Sequence, residues 1–212
     1  MKILTYIHIP KTAGTSIKHS ISQEKFFAYS GHNRTPNHNL EHFVVLREPV
    51  DRFLSAIWYS YYNDKTWRGA DDLIRSGLST PNDFLDVCFD KTHKLYNLCQ
   101  IEFSNNNNHY VDGKKISRSW IYEEQILWWN KPKHIILFQN LEEELKKIKL
   151  VIPHKNKAIK SPYCLNEEQH KSIKEMYKND YKLWSYWSEI CFKERKNINW
   201  DKHKDFLLKI AK

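Results

Sequence analysis

A three-layer αβα fold with a central parallel sheet is the fold class this chain predicts, and three features predict it. Short apolar runs at residues 3–9, 26–30, 42–46 and 134–138 have the length and the flanking turn residues of strands. Helical spacing follows several of these runs, and strands alternating with helices imply parallel pairing with helices on both faces. The 212 residues, 41% of them hydrophobic, suffice for one domain with a substantial core, read as 1–212.

The first strand, 3–9, runs into Pro10-Lys11-Thr12-Ala13-Gly14-Thr15-Ser16, and a helix is predicted from about 15 to 23. A tight turn between strand and helix leaves the first N–H groups of the helix without carbonyl partners, and the helix dipole adds positive potential there. Anions are held at such turns. Lys11 adds a charge on a mobile stem, and Thr12, Thr15 and Ser16 add hydroxyl donors. Gly14 permits close approach to the backbone, and its place in the turn is informative in a chain with only five glycines. The turn is not a Walker A loop, in which the lysine follows the second glycine; here Lys11 precedes Gly14 by three residues. The chemistry is that of a phosphate or sulfate site, without the signature of an ATPase.

A short aromatic strand at 26–30 ends in Gly31-His32 and a polar loop that reaches Asn39. The strand at 42–46 stops at Arg47. Pro49 stands where a helix over 50–61 can begin, since the N–H that proline lacks is not needed in a first turn. Ser55 lies eight residues beyond Arg47, about two turns along that helix. A guanidinium offers a planar fork to phosphate oxygens and a hydroxyl adds another bond, so the two suit a second phosphate.

Several helices are expected between 63 and 130, one entered at Thr80-Pro81 and one over 119–129, with a polar loop tip at 105–108. A strand at 134–138 precedes a helix at 141–148, acidic early and basic late as the macrodipole favours. An irregular Lys-rich stretch covers 151–163. Asn166-Glu167-Glu168-Gln169 caps a helix to about 177, helical spacing continues over 181–187, and a last helix is expected over 200–211.

Lys and Arg exceed Asp and Glu by nine, a balance suited to an anionic nucleotide and an anionic polymer. No nucleic-acid motif accompanies that charge. The four cysteines form no C-x-x-C pair and no zinc spacing with histidine, and are read as free thiols. No secretory signal pattern and no apolar run of about 18 residues occurs, so no membrane span and a cytoplasmic location are expected.

The segments Ile9-Pro10-Lys11-Thr12-Ala13-Gly14-Thr15-Ser16 and Arg47-Glu48-Pro49-Val50-Asp51-Arg52-Phe53-Leu54-Ser55 together resemble the sulfotransferases that use 3′-phosphoadenosine-5′-phosphosulfate. The likeness is greatest to the branch with the heparan sulfate 2-O-sulfotransferases and related carbohydrate enzymes. It implies a P-loop-like sulfotransferase fold in which Lys11, Thr12, Ala13, Gly14, Thr15 and Ser16 hold the 5′-phosphosulfate. Arg47 and Ser55 would hold the 3′-phosphate, and adenosine 3′,5′-bisphosphate would be the product. Lys11 would stabilise the bridging oxygen and the moving sulfuryl group. Gly31-His32 resembles the pair that carries the catalytic histidine in that branch, which makes His32 the candidate general base, with His38 in the same loop as the alternative. Lys157, Lys160 and Ser161 fall in a loop that closes over the nucleotide in relatives. The likeness extends through Phe138-Gln139-Asn140-Leu141-Glu142 and residues 165–184, and is diffuse between 63 and 130, where the acceptor would be read.

Lys11, His32 and Arg47 each follow a predicted strand, so all three are expected on one rim of the sheet, where sites of parallel α/β folds lie. His8 is read as a packed strand residue. The acceptor is expected to be a hydroxyl, with an oligo- or polysaccharide first and a small metabolite or a protein tyrosine as alternatives, and no metal is required because the leaving group is a stabilised phosphate. Plainer roles exist for each residue: a solvated Lys11, helix-capping hydroxyls, Arg47 paired with Glu48 or Asp51, a buried Ser55 and an idle loop His32. Two other functions share the anion loop. A P-loop-like nucleotide kinase or NTPase would need ATP with magnesium, and an inactive module would hold an anionic glycan without turnover.

Overall fold

A computed structural model of the chain describes residues 3–31, 41–58, 81–97, 108–111, 114–117, 125–128, 131–152 and 165–206. The protein is α/β, with a small four-stranded parallel sheet and helices compatible with a three-layer αβα arrangement. In chain order the elements are β1 (Leu4–Tyr6), α1 (Gly14–Ile21), β2 (Phe27–Tyr29), β3 (His42–Leu46), α2 (Pro49–Trp58), α3 (Pro81–Phe89), β4 (Asn108–Val111), β5 (Lys114–Ser117), β6 (His134–Leu137), α4 (Leu141–Lys147), α5 (Glu167–Met176), α6 (Lys178–Glu189) and α7 (Phe192–Arg195). Short 3-10 turns occupy Gln125–Trp128, Phe138–Asn140 and Trp200–His203. The chain divides into two compact units, one of Met1–Pro49, Glu124–Ile159 and Tyr177–Lys212, the other of Val50–Glu123 and Lys160–Met176.

In the first unit the sheet runs β2-β1-β3-β6, and every pairing is parallel. β3 and β6 are buried along their whole lengths. Such continuous burial, without an exposed alternate side chain, is characteristic of parallel strands whose two faces are both covered. Tyr6, Phe43, Val45 and Ile136 from the sheet pack with Ile17 and Ile21 of α1 and Leu145 of α4 in one core cluster. β3 has the expected bounds. β1 is shorter than the apolar run, but ladder-like bonding continues beyond it: Ile7 N–H donates to Phe43 O at 3.1 Å and His8 N–H to Gly31 O at 3.0 Å. The run ends where Ile9 N–H turns back onto Ile7 O at 3.1 Å, a three-residue turn.

A buried ion pair lies against β6, the edge strand of this sheet. Arg195 of α7 donates from Nη1 and Nη2 to the two carboxylate oxygens of Glu144 at 2.8 and 2.7 Å, from Nη1 also to Ile135 O, and from Nε to Ile190 O. Glu144 also accepts from Leu137 N–H at 2.9 Å and from Asn140 Nδ2 at 3.2 Å.

Buried His134, at the start of β6, accepts from Asn197 N–H through Nδ1 at 3.0 Å. Burial, reinforced by the charges of Lys133 and Lys196, lowers its pKa to about 4. The unfolded chain therefore binds the proton more readily, and stability falls as pH drops below the ordinary histidine value of about 6.5. Urea unfolding at pH 7 and pH 4.5 is expected to differ by up to about 3 kcal/mol more in the wild type than in His134→Asn, which keeps an acceptor without titrating. Equal acid sensitivity in both proteins would assign the loss to other groups.

α2 begins at Pro49 as expected, and in its part within the second unit Val50, Phe53, Ala56 and Ile57 are buried. α3 opens at Pro81 and packs with α5. Asn166 and Gln169 form the predicted reciprocal cap at 3.1 and 2.8 Å, and Gln169 Nε2 also bonds Asp86 Oδ1 of α3 at 2.6 Å. The expected loop tip differs: Asn108 begins β4, which pairs antiparallel with β5 across a two-residue connection. Of the helix expected over 119–129, the described part is the 3-10 turn Gln125–Trp128. Cys88 and Cys191 are free thiols, and Cys99 and Cys164 lie outside the described residues. Among the described residues no helix is long and apolar enough to cross a membrane.

Candidate functional site

Because β1, β2 and β3 are parallel, their C-terminal ends share one rim, and Lys11, Gly31 and Arg47 follow those ends. Arg47 is buried and held from several sides. Its guanidinium carbon lies 4.2 Å from the centroid of the Phe138 ring. Its backbone is gripped by Gln125, whose Oε1 accepts Arg47 N–H at 3.0 Å while Nε2 donates to Arg47 O at 2.7 Å. Gln125 is fixed in turn by buried Asp180, which accepts the N–H groups of Gln125 and Ile126 at 2.7 and 2.9 Å. Glu48 accepts a bond from the Tyr181 hydroxyl.

Arg47 Nη1 donates to the carbonyl of Lys11 at 3.0 Å, joining the two motifs. The loop from Lys11 to Gly14 is costly for its residue types. Lys11 and Ala13 both have left-handed backbones, with φ of 65° and 67°, and neither is glycine. Ala13, as N-cap of α1, provides no side-chain acceptor for the first turn. Strain of this kind is held only when surrounding contacts impose it, and it concentrates at functional sites. Thr12 lies buried between the two left-handed residues. Its hydroxyl donates to Ile9 O at 2.7 Å, so that proton is committed to the turn. Thr15 is exposed and Ser16 half-buried on the first turn of α1.

Gly14 has a role that its sequence neighbours do not reveal. A Cβ at this position would lie 1.6 Å from Nε2 of His8, so the imidazole occupies the space of the missing side chain. His8 itself lies beyond the end of β1 and is half-buried, rather than packed within the strand. Gly14→Ala is expected to cost about 1–3 kcal/mol by overpacking. In a His8→Ala background the same change should be close to neutral, and chemical denaturation of the four proteins reads out that coupling. Additive effects would show that the loop relaxes away from the ring.

Lys11 is half-buried, and its pKa is lowered to about 8 by burial first and by the charge of Arg47 second. Two cations at one loop disfavour each other's charge, and an anion placed between them relieves that cost. The described residues thus bring together Lys11, Thr12, Ala13, Gly14, Thr15, Ser16 and Arg47 in the first unit. Ser55 lies half-buried on α2 in the second unit. His32, His38, Lys157, Lys160 and Ser161 lie outside the described residues. Gln125 and Asp180 are site-forming residues to which the sequence analysis gave no role, and Phe138, the end of a predicted strand, gains one as the ring beside Arg47. Among the described residues no group of three or more His, Cys, Asp or Glu side chains could hold a metal ion. No protein-family model matches this chain. No curated protein matches it, and no solved structure matches it.

Proposed function

We propose that this protein is a sulfotransferase that carries a sulfuryl group from 3′-phosphoadenosine-5′-phosphosulfate to an acceptor hydroxyl of a carbohydrate. The observation that carries the reading is the joined cation pair: Lys11, with a depressed pKa, and Arg47, bonded to the Lys11 carbonyl at the C-terminal rim of a parallel sheet. A donor with phosphate groups at both its 5′ and 3′ ends calls for two cationic points, and the two sequence motifs provide them in the order the family uses. In this reading the sheet belongs to a P-loop-like three-layer fold. The first-turn N–H groups of α1 and Lys11 receive the 5′ end, and Arg47 receives the 3′-phosphate, a role the motif resemblance also gives Ser55.

Transfer is an in-line displacement. The acceptor oxygen forms the new S–O bond, the bond from sulfur to the bridging oxygen breaks, and the acceptor proton passes to a base, for which His32 is the candidate. Lys11 stabilises the charge that gathers on the bridging oxygen, and the rest of catalysis is positioning. The location that accompanies this reading is cytoplasmic.

Thermal unfolding in the presence of adenosine 3′,5′-bisphosphate, and separately of ATP with magnesium, tests the donor assignment. A ligand that binds only the folded state at 100 times its Kd adds about 2.7 kcal/mol. A rise in the unfolding midpoint with the bisphosphate alone is expected. A rise with ATP alone, or with neither, would sink the assignment.

A further inference from the structure

The anion loop has an unfavourable local conformation and no capping side chain, so its shape must come from its neighbours. Two residues, one ending β1 and one just beyond it, supply it. Tyr6 donates from its hydroxyl to Thr12 O at 3.3 Å, and the ring of His8, two residues on, fills the place of a Gly14 side chain. The edge of His8 away from Gly14 is engaged as well: Nδ1 lies 2.7 Å from the hydroxyl of Tyr29 on β2. The backbone N–H of His8 bonds Gly31 O, so one residue ties the loop to the end of the neighbouring strand. Tyr29 also carries the ammonium of Lys18, on α1, over its ring at 5.4 Å. A half-buried imidazole with its polar edges pressed on the loop glycine and on a tyrosine hydroxyl is a strut rather than a core filler.

We propose that His8 and Tyr29 are positioning residues for the donor nucleotide: the hydrogen-bonded pair sets the seat of Gly14, and with it the aim of the first N–H groups of α1. The link to the nucleotide rests on the sulfotransferase reading, whereas the support of the loop does not. Neither residue touches the reacting atoms in this scheme.

Tyr29→Phe removes a single oxygen and tests the pair in the intact chain. Amide exchange of Ile17, whose N–H closes the first turn of α1 on Ala13 O at 3.1 Å, reports the loop without any ligand. Loss of one hydrogen bond should speed that exchange about five- to tenfold and raise the donor KM by a similar factor, with kcat changed less than about twofold. Tyr186→Phe is the control, since it deletes a hydrogen bond to His203 of similar length, 2.8 Å, on α6. It should leave Ile17 exchange and donor KM unchanged. Unchanged Ile17 exchange in Tyr29→Phe overturns the proposal, as does faster exchange with an unaltered KM, or the same shifts in the control. If the wild type binds no adenosine bisphosphate, the donor assignment fails and the link to the nucleotide with it, while the exchange result still decides whether the pair supports the loop.

Discussion

Lys11→Met should abolish most of the activity while leaving the protein at least as stable as the wild type. Removing one preorganised electrostatic stabiliser costs on the order of 10²–10³ in turnover. The stability half follows from the sign of the pKa shift. The Lys11 pKa falls to about 8 through burial and the nearby Arg47, so below that value the folded protein holds a charge it disfavours relative to the unfolded chain. Between about 8 and the usual lysine value near 10.4 the unfolded chain binds more protons, and stability rises with pH across that window. At neutral pH the full penalty is present, and methionine, of similar length, removes it. Nucleotide affinity should show the opposite trend, holding at neutral pH and weakening as the pH passes about 8. That dependence should disappear in Lys11→Arg, whose charge persists. Turnover within tenfold of the wild type, or an unfolding midpoint several degrees lower, would remove Lys11 from the proposed role.

The contrast between what this sequence discloses and what it conceals is physical. β3 and the start of α2 were legible because an apolar run ending at Arg47-Glu48-Pro49 combines strand burial with a proline whose fixed φ suits a first turn. The reciprocal cap at Asn166 and Gln169 was legible because it is local, closing within four residues. The β4–β5 hairpin was not read, although Asp112-Gly113 between two short strands is a recognised two-residue turn signal. Its polar strands lack the apolar alternation that draws attention. Gln125 could not be found: it bonds Arg47 from 78 residues away, and no periodicity links the two. Glycine in such a loop suits close approach of a ligand to the backbone, but the sequence gives no sign that His8, six residues earlier, fills the place of a Gly14 side chain. A loop motif can be recognised from sequence, whereas what enforces its shape is tertiary.

The second large effect concerns stability, in the Glu144–Arg195 pair. Both side chains are almost wholly buried, and each also bonds backbone groups of the first unit. Burying an ion pair is costly, and its net contribution against an apolar pair is small; removing one partner leaves a buried charge uncompensated. Arg195→Met or Glu144→Leu alone is therefore expected to cost about 3–5 kcal/mol, enough to unfold a marginal domain at 37 °C. The double variant should cost clearly less than the sum, and urea denaturation of the four proteins measures the difference. The consequences reach the candidate site. Glu144 Oε2 holds Leu137 N–H, and the next residue, Phe138, lies under the guanidinium of Arg47. In the double variant, folded but without that carboxylate, the end of β6 loses its anchor, so nucleotide affinity should fall even where stability is regained. Additive costs in the two single variants would mean that the charges are solvated in the folded state, and that the end of β6 is supported by packing alone.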